Sequence, residues 1–224
     1  GMHVRNVHIL TETLLSALVR KTDRYHVNQT DISVISMASA LHDIGKIAIP
    51  EEILNKPGKF TPEEFAIMKT HSMVGAEMLE NLPSYQNESL VRFAYQICRW
   101  HHERWDGRGY PDGLKGDEIP ISAQIVAMAD VYDALTSERV YKPPFSHEQA
   151  VSMIVGGECG QFNPLVLECL KECEDEIREE LTGNGEQRRS QREIQNVARE
   201  LHKHKELNAS ERTLELLEHE RMKY

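Results

Sequence analysis

The stretch from His101 to Lys142 constrains the fold more strongly than any other part of the chain. It starts with two adjacent histidines, His101 and His102, passes through a loop rich in glycine and proline, and enters an apolar helical run that contains Asp130. Imidazole and carboxylate groups at both ends of one loop are typical of a metal site, which needs further ligands from other segments. Such residues occur upstream at His42, Asp43 and His71. We therefore expect the fold to bring four separated segments into one cluster, as in the active site of an enzyme.

The secondary-structure pattern of the chain is helical. Apolar residues recur at helical spacing along most of the sequence, and no convincing run alternates with the period of a strand. A strong start signal lies at Thr61, where a capping box is combined with proline at the first helical position. Helices are predicted over residues 4–22, 31–45, 87–104, 120–136 and 164–183, and two more start at Pro62 and after Ser146. The sequence thus predicts an all-α fold.

Two of these predicted helices carry candidate ligands near their C-terminal ends. In the second helix, Asp31 is the predicted N-cap, and His42 and Asp43 fall in the last turn before Gly45. The helix over residues 87–104 delivers its histidine pair at its end. Both ends are therefore expected to face the proposed cluster.

Composition excludes several classes of protein. The formal net charge of -10 argues against binding to a nucleic acid duplex, which requires a basic face. No apolar run approaches the roughly 20 residues of a membrane span, and the N-terminus lacks a signal-peptide pattern. The four cysteines form no CxxC pair and are expected to be reduced. We therefore expect a cytoplasmic protein without a membrane segment.

A change in composition after Gly183 divides the sequence into two parts. Residues 1–183 have the pattern of one compact domain. Residues 184–224 begin with a short linker, are densely charged and keep only a discontinuous apolar seam, so we expect a charged helical tail instead of a long coiled coil. Such a tail suits association or signal relay. This interpretation allows a homodimer through the C-terminal helices and a regulatory domain preceding Met2.

The candidate ligands are nitrogen and oxygen donors without a thiolate. A lone histidine on a helix is more often structural than a ligand, but clustering changes that balance. The donor set suits Fe, Mn, Ni or Zn. A pair of such ions about 3.5–4 Å apart is the arrangement that cleaves phosphoesters. The residues therefore favour a metal-dependent phosphoester hydrolase.

Five motifs resemble those of the HD-GYP family, which is a branch of the HD phosphohydrolases. In chain order they are His42-Asp43-Ile44-Gly45-Lys46, His71-x-x-x-Gly75, His101-His102-Glu103, the loop Asp106-Gly107-x-Gly109-Tyr110-Pro111-x-Gly113-Leu114, and Ala129-Asp130-x-x-Asp133-Ala134-Leu135-Thr136-Ser137. The likeness covers roughly residues 2–170, and chance agreement of five motifs in the same order is very improbable.

The resemblance implies an HD-type helical bundle and a cyclic di-GMP phosphodiesterase of bacterial signalling, with two transition-metal ions, most often Fe or Mn. The implied metal ligands are His3, His42, Asp43, His71, His101, His102 and Asp130. Asp43 would bridge the two ions, and Lys46 would contact the scissile phosphate. Arg139 and Lys142 would hold the phosphates or a guanine of the substrate. Tyr110, in a glycine-rich loop that allows close approach to a ligand, offers a ring or a hydroxyl.

Three functions stay open at this point. The first is hydrolysis of cyclic di-GMP to pGpG, GMP or both. The second is a weakly active module that binds a cyclic dinucleotide or recruits a partner. The third is an HD hydrolase of another phosphoester, such as a different cyclic dinucleotide, because the residues that recognise the bases cannot be placed from the sequence.

Overall fold

The computed structural model describes residues 2–82, 85, 87–138 and 143–181 of the chain. Within these ranges the regular structure is entirely helical and contains no strand. The α-helices are α1 (Met2–Lys21), α2 (Gln29–Ala38), α3 (Glu51–Leu54), α4 (Pro62–Glu80), α5 (Ser89–Trp100), α6 (Ile121–Thr136), α7 (His147–Val155), α8 (Pro164–Glu172) and α9 (Glu174–Leu181). The predicted all-α fold is confirmed.

Helix α1 packs against α2, α6 and α8 and forms much of the core. Its apolar side chains at helical spacing, which include Leu10, Leu14 and Leu18, are almost completely buried. Burial of one such leucine stabilises the fold by about 1.5–3 kcal/mol. Helix α6 is apolar and buried over most of its length. Because α1 carries His3 and α6 carries Asp130, the packing of these two helices brings distant positions of the sequence together.

Close packing between α4 and the 3-10 helix Ile44–Ala48 places the His-Asp pair beside α4. A Cβ atom added to Gly45 would lie 1.9 Å from the carbonyl oxygen of His71 and 2.5 Å from the amide nitrogen of Gly75. Such distances are shorter than any van der Waals contact, so only glycine fits at position 45. The turn that contains the His-Asp pair can therefore pack directly on the backbone of α4 only because residue 45 is glycine.

The start of α2 differs from the prediction. Asn28 is the N-cap, and its side chain accepts the backbone N–H of Asp31. Asp31 is therefore the third residue of the helix, and its carboxylate accepts the N–H of Asn28 in return. The prediction of Asp31 as N-cap was wrong because an aspartate can complete a capping box as well as begin one.

The end of α2 also differs from the prediction. The α-helix ends at Ala38, and Ser39–Leu41 continues as a 3-10 helix. The hydroxyl of Ser39 donates to the carbonyl oxygen of Ser36, a local bond that competes with regular helical winding. His42 and Asp43 therefore lie in a tight turn between two 3-10 helices and not in the last turn of an α-helix.

The long helix predicted over residues 164–183 is two helices in the structure. Asn163 caps α8 and Pro164 begins it, as predicted, but α8 ends at Glu172 and α9 starts at Glu174. The first turn of α9 consists of acidic residues. Carboxylates are stabilised at a helix N-terminus and not in the middle of a helix, which favours a new start at this point.

The contacts of the chain separate it into residues 1–178 and 179–224. Of the second unit only residues 179–181 belong to the described part, so the predicted division at residue 183 and the predicted charged tail lie largely outside the described residues. In the part of the chain that the structure describes, no helix has the length and apolarity needed to cross a membrane. All four cysteines are free.

Candidate metal centre

The side chains that the sequence indicated as metal ligands lie together in the structure. They come from five parts of the fold: His3 from α1, His42 and Asp43 from the turn after α2, His71 from α4, His101 and His102 from the end of α5, and Asp130 from α6. Helix packing therefore produces the cluster that the sequence predicts.

The first donor group contains His3, His42 and Asp43, whose ligand atoms lie within 4.8 Å of one another. The Nε2 atoms of the two histidines are 3.3 Å apart. Asp43 Oδ2 is 3.3 Å from His42 Nε2. Asp130 lies at the edge of this group, with Oδ1 3.8 Å from Nε2 of each histidine.

The second donor group contains Asp43, His71, His101 and His102, again within 4.8 Å of one another. Asp43 Oδ1 is 3.4 Å from His71 Nε2 and 3.9 Å from His101 Nε2. His102 Nε2 lies 3.2 Å from His71 Nε2. The two carboxylate oxygens of Asp43 thus face different groups, so that this one side chain belongs to both.

The buried histidines are oriented by hydrogen bonds to backbone carbonyl groups. Nδ1 of His42 donates to Ser39 at 2.8 Å, and Nδ1 of His71 donates to Met68 at 2.6 Å. Nδ1 of His101 likewise donates to the carbonyl oxygen of Ile97 at 2.8 Å. When Nδ1 carries the proton, Nε2 keeps a lone pair, which is the state that a metal ligand requires.

The donor set fits transition-metal ions. Nε2 of His101 is completely buried and has no hydrogen-bond partner among the described residues. An unpaired buried nitrogen costs about 1–3 kcal/mol unless a ligand satisfies it. The surrounding donors are imidazole and carboxylate groups, which suit first-row transition metals. The cluster can therefore hold divalent ions.

The electrostatics of the cluster keep most of the imidazoles neutral and the carboxylate charged. Complete burial lowers the pKa of His101 to about 3, and burial also lowers the pKa of His71 and His102. Burial alone would lower the pKa of His42 as well, but the carboxylate of Asp43 raises it. Burial likewise opposes the charge of Asp43, yet its bonds to His42 and Lys46 hold its pKa well below the usual range.

Asp133 contacts a candidate ligand directly, although the sequence motifs did not predict it as a site residue. Its carboxylate is 2% exposed and accepts a hydrogen bond from Nδ1 of His3 at 2.6 Å. Asn6 and Ser137 donate to its other oxygen at 2.7 and 2.9 Å. This network directs Nε2 of His3 toward the first donor group. Its position three residues after Asp130, on the same face of α6, was the signal available in the sequence.

Lys46 lies directly beside the shared carboxylate. Its Nζ is 2.5 Å from Asp43 Oδ2, and its side chain is 39% exposed. The ammonium group thus reaches both the cluster and the solvent. This position is suitable for contact with an anionic ligand that approaches from solution.

The loop after α5 is fixed around the carboxylate of Glu103. Glu103 accepts the backbone N–H groups of Asp112 and Gly113 at 2.8 and 3.0 Å. Gly109 lies so close to the backbone of Glu103 that an added Cβ would approach it to 2.4 Å. The loop therefore holds Tyr110 firmly, and the Tyr110 ring stacks on His102 with 4.7 Å between the centroids.

Of the three residues predicted to bind the substrate, the structure describes Tyr110. Tyr110 lies beside the second donor group, because its ring stacks on the ring of His102. Arg139 and Lys142 lie outside the described residues, so that their contact with a substrate stays a prediction.

Together, the helical bundle and the two donor groups that share Asp43 define an all-α protein with a candidate dinuclear metal centre built on a His-Asp pair. A family model described as an HD domain matches residues 5–164. The chain belongs to the HD domain family. Its predicted place in the HD-GYP branch is also confirmed.

Similar proteins are found among both sequences and solved structures. A "Probable cyclic di-GMP phosphodiesterase" of Vibrio cholerae is 46% identical over 172 residues, which are 75% of this chain and 39% of the relative. A "3'3'-cGAMP-specific phosphodiesterase 2" of the same organism is 41% identical over 79% of this chain and 32% of its own length. A solved HDG"Y"P protein from Bdellovibrio bacteriovorus has a TM-score of 0.53 at 22% identity, over 74% of this chain and 50% of its own, and supports the fold alone.

The chain spans less than half the length of these two curated relatives. More than half of each relative therefore lies outside the region that matches this chain.

Proposed function

We propose that the chain is a metal-dependent phosphodiesterase that hydrolyses cyclic di-GMP to pGpG, GMP or both. The observation that carries this proposal is the position of Asp43, whose two oxygens face separate donor groups. A shared carboxylate is the feature expected of a centre that holds two ions on one phosphoryl group. The names of several curated relatives support cyclic di-GMP as the substrate.

The first ion would be held by His3, His42, Asp43 and Asp130. The second would be held by Asp43 with His71, His101 and His102. When bound, two such ions activate water and neutralise the charge of the phosphoryl group. Fe or Mn is our first expectation for this nitrogen and oxygen donor set, and Ni or Zn suits it as well.

Lys46 would stabilise the negative charge that develops on the phosphate during cleavage. Its ammonium group is held by Asp43 and remains partly exposed, so it can move from the carboxylate to a substrate oxygen. In the hydrolysis of one phosphodiester bond, the oxygen of water forms a new bond to phosphorus and the bond between phosphorus and one ribose oxygen breaks. The released ribose oxygen takes up a proton from the water and becomes a hydroxyl group, which opens the ring. Arg139 and Lys142 would hold the remaining negative charge, as the family resemblance implies.

Product analysis tests this function directly. Reduced protein loaded with Mn or Fe is incubated with several cyclic dinucleotides, and the products are separated by chromatography. We expect linear pGpG or GMP from cyclic di-GMP. An intact substrate after incubation with fully loaded protein would contradict the proposal.

A different cyclic dinucleotide is the second candidate substrate. A relative at 41% identity is named as specific for 3'3'-cGAMP, so the family contains more than one base specificity. The same chromatography distinguishes the two, because hydrolysis of the mixed dinucleotide alone would favour this candidate. A module that only binds is less favoured, since a site without turnover has no physical reason to keep so many buried ligand side chains.

The proposal extends to the setting of the enzyme. We expect a cytoplasmic bacterial signalling protein in which residues 1–183 act as the catalytic domain and residues 184–224 serve association or relay. A homodimer through the tail and an upstream regulatory domain belong to the same proposal.

A further inference from the structure

Two aromatic rings and a lysine form a cluster next to the second donor group. Phe65 and Lys69 lie one turn apart on α4 and therefore share a face of that helix. The ring of Phe65 meets the ring of Tyr110 edge to face, with 6.3 Å between the centroids. Lys69 Nζ lies 5.3 Å from the centroid of Phe65 and 5.8 Å from that of Tyr110. We call these three residues the aromatic–lysine cluster.

The aromatic–lysine cluster contacts the candidate metal ligands through Tyr110. Tyr110 stacks on His102 at an interplanar angle of 24°. His102 Nε2 in turn lies 3.2 Å from His71 Nε2 in the second donor group. A base of a bound cyclic dinucleotide is separated from the scissile phosphate by a single ribose, so it must lie in the immediate surroundings of that group.

The chemistry of the cluster suits a nucleobase. Phe65 is 46% exposed, which leaves its ring available for stacking, and base–aromatic stacking contributes about 1–3 kcal/mol. Lys69 is half-buried and has no ion pair with a carboxylate in the described part of the chain. Its ammonium group can only donate hydrogen bonds.

The donor character of Lys69 distinguishes between the purines. Guanine presents two adjacent acceptors, O6 and N7, on its Hoogsteen edge. Adenine presents one acceptor, N7, beside the N6 amino donor. An ammonium group above the rings of Phe65 and Tyr110 would therefore bind the edge of guanine and oppose the amino group of adenine.

We propose that Phe65 and Lys69 form a base-binding subsite that selects guanine, with Phe65 as the stacking surface and Lys69 as the donor to O6 and N7. This inference rests on the proposed function, because it assigns a specificity to the same site. It concerns residues on α4 that lie outside the ligand set and outside the glycine-rich loop.

The variant Lys69→Met tests the selection of guanine. Methionine keeps an unbranched apolar side chain but removes the ammonium group. We expect the ratio of kcat/KM for cyclic di-GMP over cyclic di-AMP to fall about 10-fold or more, as for loss of a charged hydrogen bond to one substrate. Metal content should stay at the wild-type level. Lys69→Arg should restore most of the ratio, because arginine binds O6 and N7 of guanine in a bidentate manner.

Lys59→Met is the matched control, since Lys59 is an exposed lysine in the loop before α4. It should leave the ratio unchanged. An equal loss for both dinucleotides in Lys69→Met would overturn the inference and make Lys69 a phosphate contact. An unchanged ratio, or a wild-type protein without preference for guanine, would overturn it too.

Phe65→Ala tests the stacking surface independently. Stacking does not depend on the identity of the base, so we expect KM to rise about 10-fold for both dinucleotides, with kcat and metal content nearly unchanged. An unchanged KM would remove Phe65 from the subsite. A wild-type protein that hydrolyses neither dinucleotide would overturn the proposed function itself and the subsite with it, which is a different result from turnover without selectivity.

Discussion

At the scale of single residues, four candidate ligands are each oriented by a hydrogen bond to a second residue. His42, His71 and His101 are fixed by backbone carbonyl groups, whereas His3 is fixed by the buried carboxylate of Asp133. His3 is also the most exposed of these histidines, with 42% of its side chain accessible. The first donor group therefore depends on Asp133 more than the second group depends on any single side chain.

This dependence predicts the effect of Asp133→Asn. The substitution removes the charge that accepts the His3 hydrogen bond, and loss of such an outer partner typically costs 10–100-fold in metal affinity. We expect the affinity for one of two ions to fall by about that factor, measured by metal titration of the stripped protein. Asp175→Asn, at an exposed carboxylate, is the control. Equal affinities in Asp133→Asn and wild type would show that Asp133 has no orienting role.

A second prediction at this scale concerns Arg139 and Lys142. The net charge of -10 cannot attract a dianionic dinucleotide from a distance, so local cations must hold it. Replacing both by alanine should raise KM by roughly one or two orders of magnitude, with metal content unchanged. A wild-type KM in steady-state kinetics would move this role to other cations, such as Lys46.

At the scale of elements, one glycine determines how the His-Asp turn meets α4. An added Cβ at Gly45 would overlap the backbone of α4, whereas at Gly75 it would lie 3.1 Å from the nearest atom. Overpacking of this kind costs about 1–3 kcal/mol, and more where backbone must move. Gly45→Ala should therefore lower the melting temperature and the metal content more than Gly75→Ala. The reverse order in thermal unfolding would contradict this packing.

The sequence predicted which candidate ligands lie together, but it did not predict the residues that orient them. His42, Asp43 and Asp130 stand in recognisable local motifs, and capping signals at Thr61 and Ser146 mark the helix starts that the structure has. By contrast, the bond between His3 and Asp133 joins positions 130 residues apart, which only the packing of α1 on α6 brings together.

The same limit applies to other elements. The proximity of Lys69 to the Tyr110 ring depends on how the loop lies against α4 and has no local signal. The break at Cys173 was missed because helical periodicity continues across it. Periodicity identifies helices well, but it does not report where two of them are joined end to end.

At the scale of the whole molecule, every described candidate ligand lies in residues 1–178. A chain that ends at Gly183 should therefore fold and keep its metals, because the described buried apolar residues, from Val7 to Ile177, also belong to this unit. Circular dichroism and metal analysis of the shortened chain check this prediction. Loss of metal on truncation would show that the tail is part of the catalytic domain.

The central claim is that one carboxylate, Asp43, serves two metal ions. Metal analysis of Asp43→Ala after reconstitution tests it most directly, with His42→Ala alongside and Asp23→Asn, at an exposed turn, as the control. We expect wild type and control to bind two ions per chain and the two cluster variants to lose both the metal and the hydrolysis of cyclic di-GMP. Full occupancy in Asp43→Ala would contradict the shared-ligand assignment.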